Sequence, residues 1–250
     1  MKGRIIIFVF FLAISGFVTT GSYATVLPVP IVQQRQTNWC WAACTEAVIR
    51  YFEGTVNQCD LANKFITDNG FPEDECCSYG FRFLSSTHPC NSTNNLLQGG
   101  YRDSTSELLN YYGIETQVGL RRYLSVNEVR DEIFNGRPFI MDWDYTGAGY
   151  HQLVVCGITD PTGDTMIHYM EPWRGNVQVQ RYNWVAGIAD PNHPSPPVDH
   201  TWNRTLRMNQ GKVPIPDIKV NGTDGTYNAN SSQYLNVTAS LNTRDYTDRA

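Results

Sequence analysis

Two hundred and fifty residues, 41% apolar and 17% charged, supply enough apolar chain for one sizeable core or two small ones and exclude an intrinsically disordered protein. A formal net charge of −5 argues against a nucleic-acid surface, which wants a basic face, and against adhesion to anionic lipid.

Lys2 and Arg4, the apolar run Ile5 to Val18, and small residues at the ends of Ser22-Tyr23-Ala24 read as a secretory signal peptide over residues 1–24, cleaved after Ala24. The run is shorter than the roughly 20 residues that span a bilayer. The mature protein is thus expected to be secreted or periplasmic, free of the membrane, and more acidic still once Lys2 and Arg4 are removed.

Pro28 and Pro30 keep the segment after Ala24 extended. A helix is predicted from about Trp39, with Cys44, Ala47, Val48, Tyr51 and Phe52 as one buried stripe and Gly54 as its stop. Asp60 is expected to cap a short helix ending before Gly70. Ser104 with Glu107 and Ser125 with Glu128 form capping-box pairs whose helices stop at Gly113 and Gly136. From Pro138 the pattern turns to short β-prone runs at residues 139–143, 151–158, 165–170 and 177–182, which predict an antiparallel sheet. Residues 25–209 read as one domain, helical first and β second. Residues 210–250, rich in Asn, Thr, Ser and Asp with scattered Val220, Tyr234, Leu235, Val237 and Leu241, read as a weak polar C-terminal extension or disordered tail.

Export makes disulfides the expected state of most of the seven cysteines, and an odd number leaves at least one thiol without an intramolecular partner. Residues 71–100 form a long loop that needs staples, and vicinal Cys76 and Cys77 are expected to bond to two different partners, with Cys59, Cys90 and Cys44 available. Cys156 reads as a small buried strand residue. The alternative, a zinc site from Cys59, Cys76, Cys77, His88 and Cys90, is the less favoured reading in an exported chain, so no metal or cofactor is expected. Sequons at Asn91, Asn203, Asn221, Asn230 and Asn236 would carry glycans only in a eukaryotic secretory pathway. The acidic run Glu73-Asp74-Glu75 lacks calcium-loop spacing and reads as solvated loop.

Cys40 falls where the extended segment meets the helix, over the exposed N–H groups at the positive end of the dipole, a place that favours thiolate. The Gln34 amide stands before it as a donor to an oxyanion, beside the Cys40 N–H. This Gln-x5-Cys-Trp-Ala spacing resembles the papain-like cysteine peptidases. The resemblance implies a base from the β half. His151, which opens the run Gln152 to Gly157, fits that role, and Glu171 in Met-Glu-Pro-Trp fits the acid that orients it, one methylene longer than the usual Asp or Asn. Bacterial members are closer still, sharing counterparts of Asn38–Ala43, Cys76-Cys77 with Cys90-Asn91, Asn135–Pro138 and Tyr150-His151.

The resemblance implies an α+β, papain-like two-lobe fold, with a helical N-terminal lobe and an antiparallel β-sheet C-terminal lobe. It implies a secreted endopeptidase with catalytic Cys40, His151, Glu171 and Gln34, substrate contacts from Trp41, Trp173 and Tyr150, a peptide or protein substrate, and a monomeric state. The short stretch from Ala24 to Cys40 is expected to leave no room for the long inhibitory propeptide of plant and lysosomal relatives. Two other readings share the scaffold: a catalytically impaired binding or inhibitory protein, if Glu171 fails to orient His151, and a Cys-His transacylase or amidase. Asp142, Asp144 and Asp160 are the other carboxylates near the same strands.

Overall fold

The structure, a computed structural model, describes residues 24–71, 76–94, 96–97, 104–145, 149–160, 164–189, 199–211, 214–220 and 237–243, the last two as backbone. Residues 1–23 of the expected signal peptide, the run Glu73-Asp74-Glu75 and the sequons at Asn221, Asn230 and Asn236 lie outside the described residues.

The helical half holds α1 (Cys40–Tyr51), α2 (Gln58–Asp68), α3 (Thr105–Tyr111) and α4 (Val126–Phe134). The capping boxes at Ser104/Glu107 and Ser125/Glu128 form as expected. At α2 the cap is Asn57, whose side chain accepts from the Cys59 and Asp60 N–H groups, while Asp60 is the third helical residue and returns a bond to the Asn57 N–H. Asn57 takes the role because its backbone is extended, at φ −127° and ψ 165°, which turns its side chain across the first turn. In α1 burial extends well past the expected stripe: Trp41 through Ile49 are all buried. The helix is enclosed by β3 on one side and by α2 and α3 on others, and a helix apolar around most of its circumference belongs inside.

The β half is one antiparallel sheet in the order β5-β4-β3-β2-β6, from β2 (Phe139–Tyr145), β3 (Gly149–Thr159), β4 (Met166–Glu171), β5 (Asn176–Arg181) and β6 (His200–Leu206). The β-prone runs read from the sequence do not include β6. Nor do they include β1 (Ala24–Val26), which pairs with Gly157 to Thr159 and so occupies the β3 edge that β2 leaves beyond Val155. Gly157 sits at this junction, where a Cβ would lie 2.9 Å from Val26 Cγ2 and 3.1 Å from His168 Cβ. The core runs through both halves, from Trp39, Trp41 and Phe65 to Phe139 and Trp202, which stack at 5.8 Å.

Cys59 pairs with Cys77 and Cys76 with Cys90, so the vicinal cysteines do bond to different partners and tie the 77–90 loop to α2. Cys44, weighed as a partner, is instead a buried free thiol whose Sγ donates to the Gln152 carbonyl at 3.2 Å. Asn91 is fully buried, and its side chain binds Thr37, Asn38 and two loop carbonyls, so it has no room for a glycan. Within residues 210–250, read as a weak polar extension or disordered tail, β7 (Pro214–Val220) and β8 (Val237–Thr243) form a separate antiparallel pair. Its β-branched Val, Ile and Thr content favours extended backbone despite the polar composition.

α5 (Tyr182–Ala186) ends at Gly187, at φ +71°, and a Cβ there would sit 2.5 Å from the His200 carbonyl oxygen and 2.9 Å from Thr201 Cα. Gly187→Ala is therefore expected to destabilise the fold by about 2 kcal/mol or more, combining left-handed strain with backbone overlap. A urea midpoint equal to wild type would show that the α5–β6 junction yields freely.

Candidate active site

Cys40 is the first residue of α1, and no side chain caps that helix. The turn before it is built by local and cross-loop bonds. The Asn91 side chain accepts from the Asn38 N–H at 3.0 Å and donates to Thr37 Oγ1 at 2.8 Å, while Gln36 Nε2 donates to the Gly80 carbonyl at 2.9 Å. The stapled loop thus holds the approach to the sulfur. In the sequence Cys90-Asn91 stands only as a motif; the signal that points to its role is a polar residue next to a half-cystine.

His151 enters from the other half, near the start of β3 and opposite Trp143 on β2. It shares a cleft with Cys40, and its Nε2 lies 2.7 Å from Glu171 Oε1. With Nε2 committed to the carboxylate, Nδ1 is the nitrogen left for the sulfur. Glu171 ends β4, is 8% exposed, and through the same Oε1 accepts the Trp173 N–H at 2.9 Å. Burial would lower the His151 pKa, but the hydrogen bonds to Cys40 and Glu171, and their negative charges, outweigh it and raise the imidazolium pKa to about 10. Burial would likewise raise Glu171, yet the bond and charge of His151, the Trp173 N–H and the charge of Arg174 hold it below the usual carboxylate range.

Gln34 is buried, and its Nε2 donates to the carbonyls of Gln36 at 2.9 Å and Thr37 at 2.8 Å, leaving Oε1 buried without a partner. Its backbone N–H donates to the Pro172 carbonyl at 2.9 Å, so the segment leading to Cys40 is laced to the segment that follows Glu171. Trp41 is 1% exposed, with its indole N–H on the Ser92 carbonyl at 3.1 Å, so it offers only an edge to the cleft. Tyr150 and Trp173 are exposed, at 51% and 43%. A cleft of about 200 Å³ opens between the halves, with Cys40, His151, Tyr150, Asn38, Thr93 and Gln152 on its walls.

The three aspartates are otherwise engaged. Asp142 lies 3.5 Å from the Arg204 guanidinium, Asp144 accepts from the Asn203 side chain at 3.0 Å, and Asp160 faces Arg130 at 3.9 Å. Arg204, which no sequence motif marks, also lies over the Tyr150 ring at 4.0 Å and so braces a cleft wall. Among the described residues no group of His, Cys, Asp and Glu is arranged to hold a metal ion.

A crystal structure of a putative C39-like peptidase from Bacillus anthracis is similar to this chain, with a TM-score of 0.46 and 14% identity over 76% of this chain and 100% of that one. A double glycine motif protease from an AMS/PCAT transporter, solved in complex with the leader peptide, gives a TM-score of 0.38 and 18% identity over 74% of this chain and 94% of that one. No curated protein matches the chain. The Peptidase_C39 like family matches residues 26–189, from β1 to just beyond α5 and including Cys40, His151 and Glu171, and the chain belongs to that family of papain-like cysteine peptidases.

Proposed function

We propose that the protein is a secreted cysteine endopeptidase that works through a Cys40-His151-Glu171 triad. The observation that carries this reading is the His151 Nε2–Glu171 Oε1 contact at 2.7 Å, made by a ring that shares one cleft with Cys40 at the start of α1. In the reaction, the Cys40 sulfur attacks the scissile carbonyl carbon as thiolate, and a tetrahedral oxyanion forms. The C–N bond then breaks as the His151 imidazolium gives its proton to the leaving amine. The acyl-enzyme is resolved when neutral His151 takes a proton from water and the hydroxide attacks the thioester, returning the thiolate–imidazolium pair. Glu171 holds the ring orientation and favours its cationic form. The alternative, a catalytically impaired scaffold, requires Glu171 to miss His151, and the 2.7 Å contact favours the triad over it.

The oxyanion is assigned to the Cys40 N–H at the uncapped start of α1 and to Gln34. For Gln34 to donate, one amide N–H must leave a neutral carbonyl of Gln36 or Thr37 for a charged oxygen, an exchange that favours the charge-assisted bond. Tyr150, exposed on the cleft wall, and Trp173, exposed two residues after Glu171, are the side chains assigned to an extended peptide, and Trp41 completes the wall. Secretion is supported by two disulfides, which persist in an oxidising compartment.

Cys40→Ala is expected to abolish turnover while leaving the fold intact, and Gln34→Ala to lower kcat by about 10²-fold or more. A Gln34→Ala enzyme with wild-type kcat overturns the oxyanion assignment. Release of product only onto an added amine, with none onto water, would identify a transacylase.

Of the three free thiols, Cys40 alone is not buried. Burial pushes the Cys44 thiol well up and that of Cys156 up to about 12. Iodoacetamide applied to the non-reduced native protein at neutral pH should therefore alkylate Cys40 first, as read by peptide mass spectrometry. Prior labelling of Cys44 or Cys156 counts against the site.

His151 must be cationic to protonate the leaving group, so activity falls on the alkaline side as the imidazolium is lost. Since Glu171 raises that pKa, Glu171→Gln should move the alkaline limb of the kcat/KM profile to lower pH and reduce kcat. An unchanged limb in a folded Glu171→Gln enzyme leaves a Cys-His dyad.

A further inference from the structure

The Glu171 carboxylate is placed by the segment that follows it, and that segment is gripped from outside the sheet. The Trp173 N–H donates to Glu171 Oε1 at 2.9 Å, the same oxygen that faces His151 Nε2 at 2.7 Å. Trp173 is 43% exposed and needs something to hold it. Its carbonyl oxygen accepts from the Arg82 guanidinium and from Gln33 Nε2, and the same guanidinium lies over its indole ring at 3.9 Å.

Arg82 is built for this at a cost. Its φ is +52°, a left-handed conformation that L side chains rarely adopt. The conformation is imposed from several sides. The Arg82 peptide N–H donates to the Arg35 carbonyl at 2.7 Å, and the Phe81 ring lies 4.9 Å from the guanidinium. The loop is closed by Cys76–Cys90 and anchored to α2 by Cys59–Cys77. Arg82 therefore touches both stretches of chain that carry the chemistry: the approach to Cys40 at Arg35, and the segment after Glu171 at Trp173. A planar guanidinium can stack on the indole while directing an N–H to its carbonyl; an ammonium group has no such plane.

We propose that Arg82 is a positioning residue of the active site, clamping Trp173 by stacking and hydrogen bonding so that the Trp173 N–H fixes the Glu171 carboxylate against His151. The inference rests on the peptidase reading for its kinetic consequence, but the clamp itself acts on His151 whatever the substrate. The stapled loop then serves the reaction as well as the fold: it carries the residue that holds the third member of the triad.

The test uses Arg82→Gly, which accepts the left-handed backbone and removes the clamp, and Arg82→Lys, which keeps the charge without the fork. Three quantities are read on the full chain: kcat and KM on a peptide substrate, the pH profile of kcat/KM, and the titration of His151 followed by NMR of its ring proton. Arg82→Gly is expected to lose roughly tenfold to a hundredfold in kcat with KM little changed, the scale of a misplaced catalytic group. Its alkaline limb and its His151 titration should move to lower pH, toward those of Glu171→Gln, with Arg82→Lys between Gly and wild type. Arg82→Gly combined with Glu171→Gln should be no slower than Glu171→Gln alone, because both act on one contact. A folded Arg82→Gly enzyme with the wild-type alkaline limb and His151 titration overturns the proposal and leaves Arg82 a scaffold residue, even if kcat falls. Should Arg82→Gly fail to fold, Arg82→Lys decides by the same limb and the same titration: a shift of both to lower pH supports the clamp, and wild-type values overturn it. A wild-type protein that cleaves no peptide would defeat the peptidase reading, while the His151 titration would still decide on Arg82.

Discussion

One oxygen atom, Glu171 Oε1, receives the two hydrogen bonds on which the arrangement of the site depends, from His151 Nε2 at 2.7 Å and from the Trp173 N–H at 2.9 Å. The donors reach it from β3 and from the segment beyond β4, so register between these neighbouring strands and the course of the following segment must both be right. Glu171 ends its strand, where the chain is free to turn, and Pro172 presents its carbonyl to the Gln34 N–H at 2.9 Å. That bond joins the helical half to the sheet within a few residues of Cys40. The methylene by which Glu exceeds Asp or Asn leaves the carboxylate well within reach of the ring.

The other requirement is that the start of α1 face the start of β3. Burial does most of this. From Trp41 to Ile49 the helix offers solvent nothing, so it can only lie inside, and the Cys44 thiol bonded to the Gln152 carbonyl at 3.2 Å fixes its early turns against the residue after His151. A helix so enclosed cannot slide along its axis without opening voids in a close-packed core. Its first residue, by contrast, is left open: no side chain caps the helix, and the N–H of half-buried Cys40 faces the place where negative charge develops.

Much of this was legible in the residues. The capping boxes at Ser104 and Ser125, the change at Pro138 from helical spacing to short β runs, and the order Gln34, Cys40, His151, Glu171 are local or ordered patterns, and the elements they predict are present. What escaped reading depends on partners distant in sequence. β1 is three residues long and becomes a strand only because β3 has a vacant edge there. β6 reads as an ordinary polar stretch, His-Thr-Trp-Asn-Arg-Thr-Leu, until Trp202 stacks on Phe139. Arg82 lies in a loop of common composition, and only the fold brings it to Trp173. The pairing of four cysteines was open for the same reason, since spacing alone does not say which sulfurs meet.

Two buried acids that feel the charge of His151 show how environment divides their roles. Both are almost out of solvent, Glu171 at 8% exposure and Asp142 at 1%. Glu171 keeps its charge because two donors sit on one oxygen and Arg174 adds its field. Asp142 has Oδ1 buried without a partner and meets Arg204 only at 3.5 Å, so burial outweighs the help of Arg204 and His151, and Asp144 adds repulsion; its pKa rises to about 7. Near neutral pH the pair therefore splits into one anion and one acid that is largely uncharged in slightly acidic solution. A carboxylate that orients an imidazolium must be anionic across the working range, and hydrogen-bond supply, more than proximity, selects Glu171 for it. Asp142, held under Arg204 while that guanidinium braces Tyr150, belongs instead to the wall of the cleft.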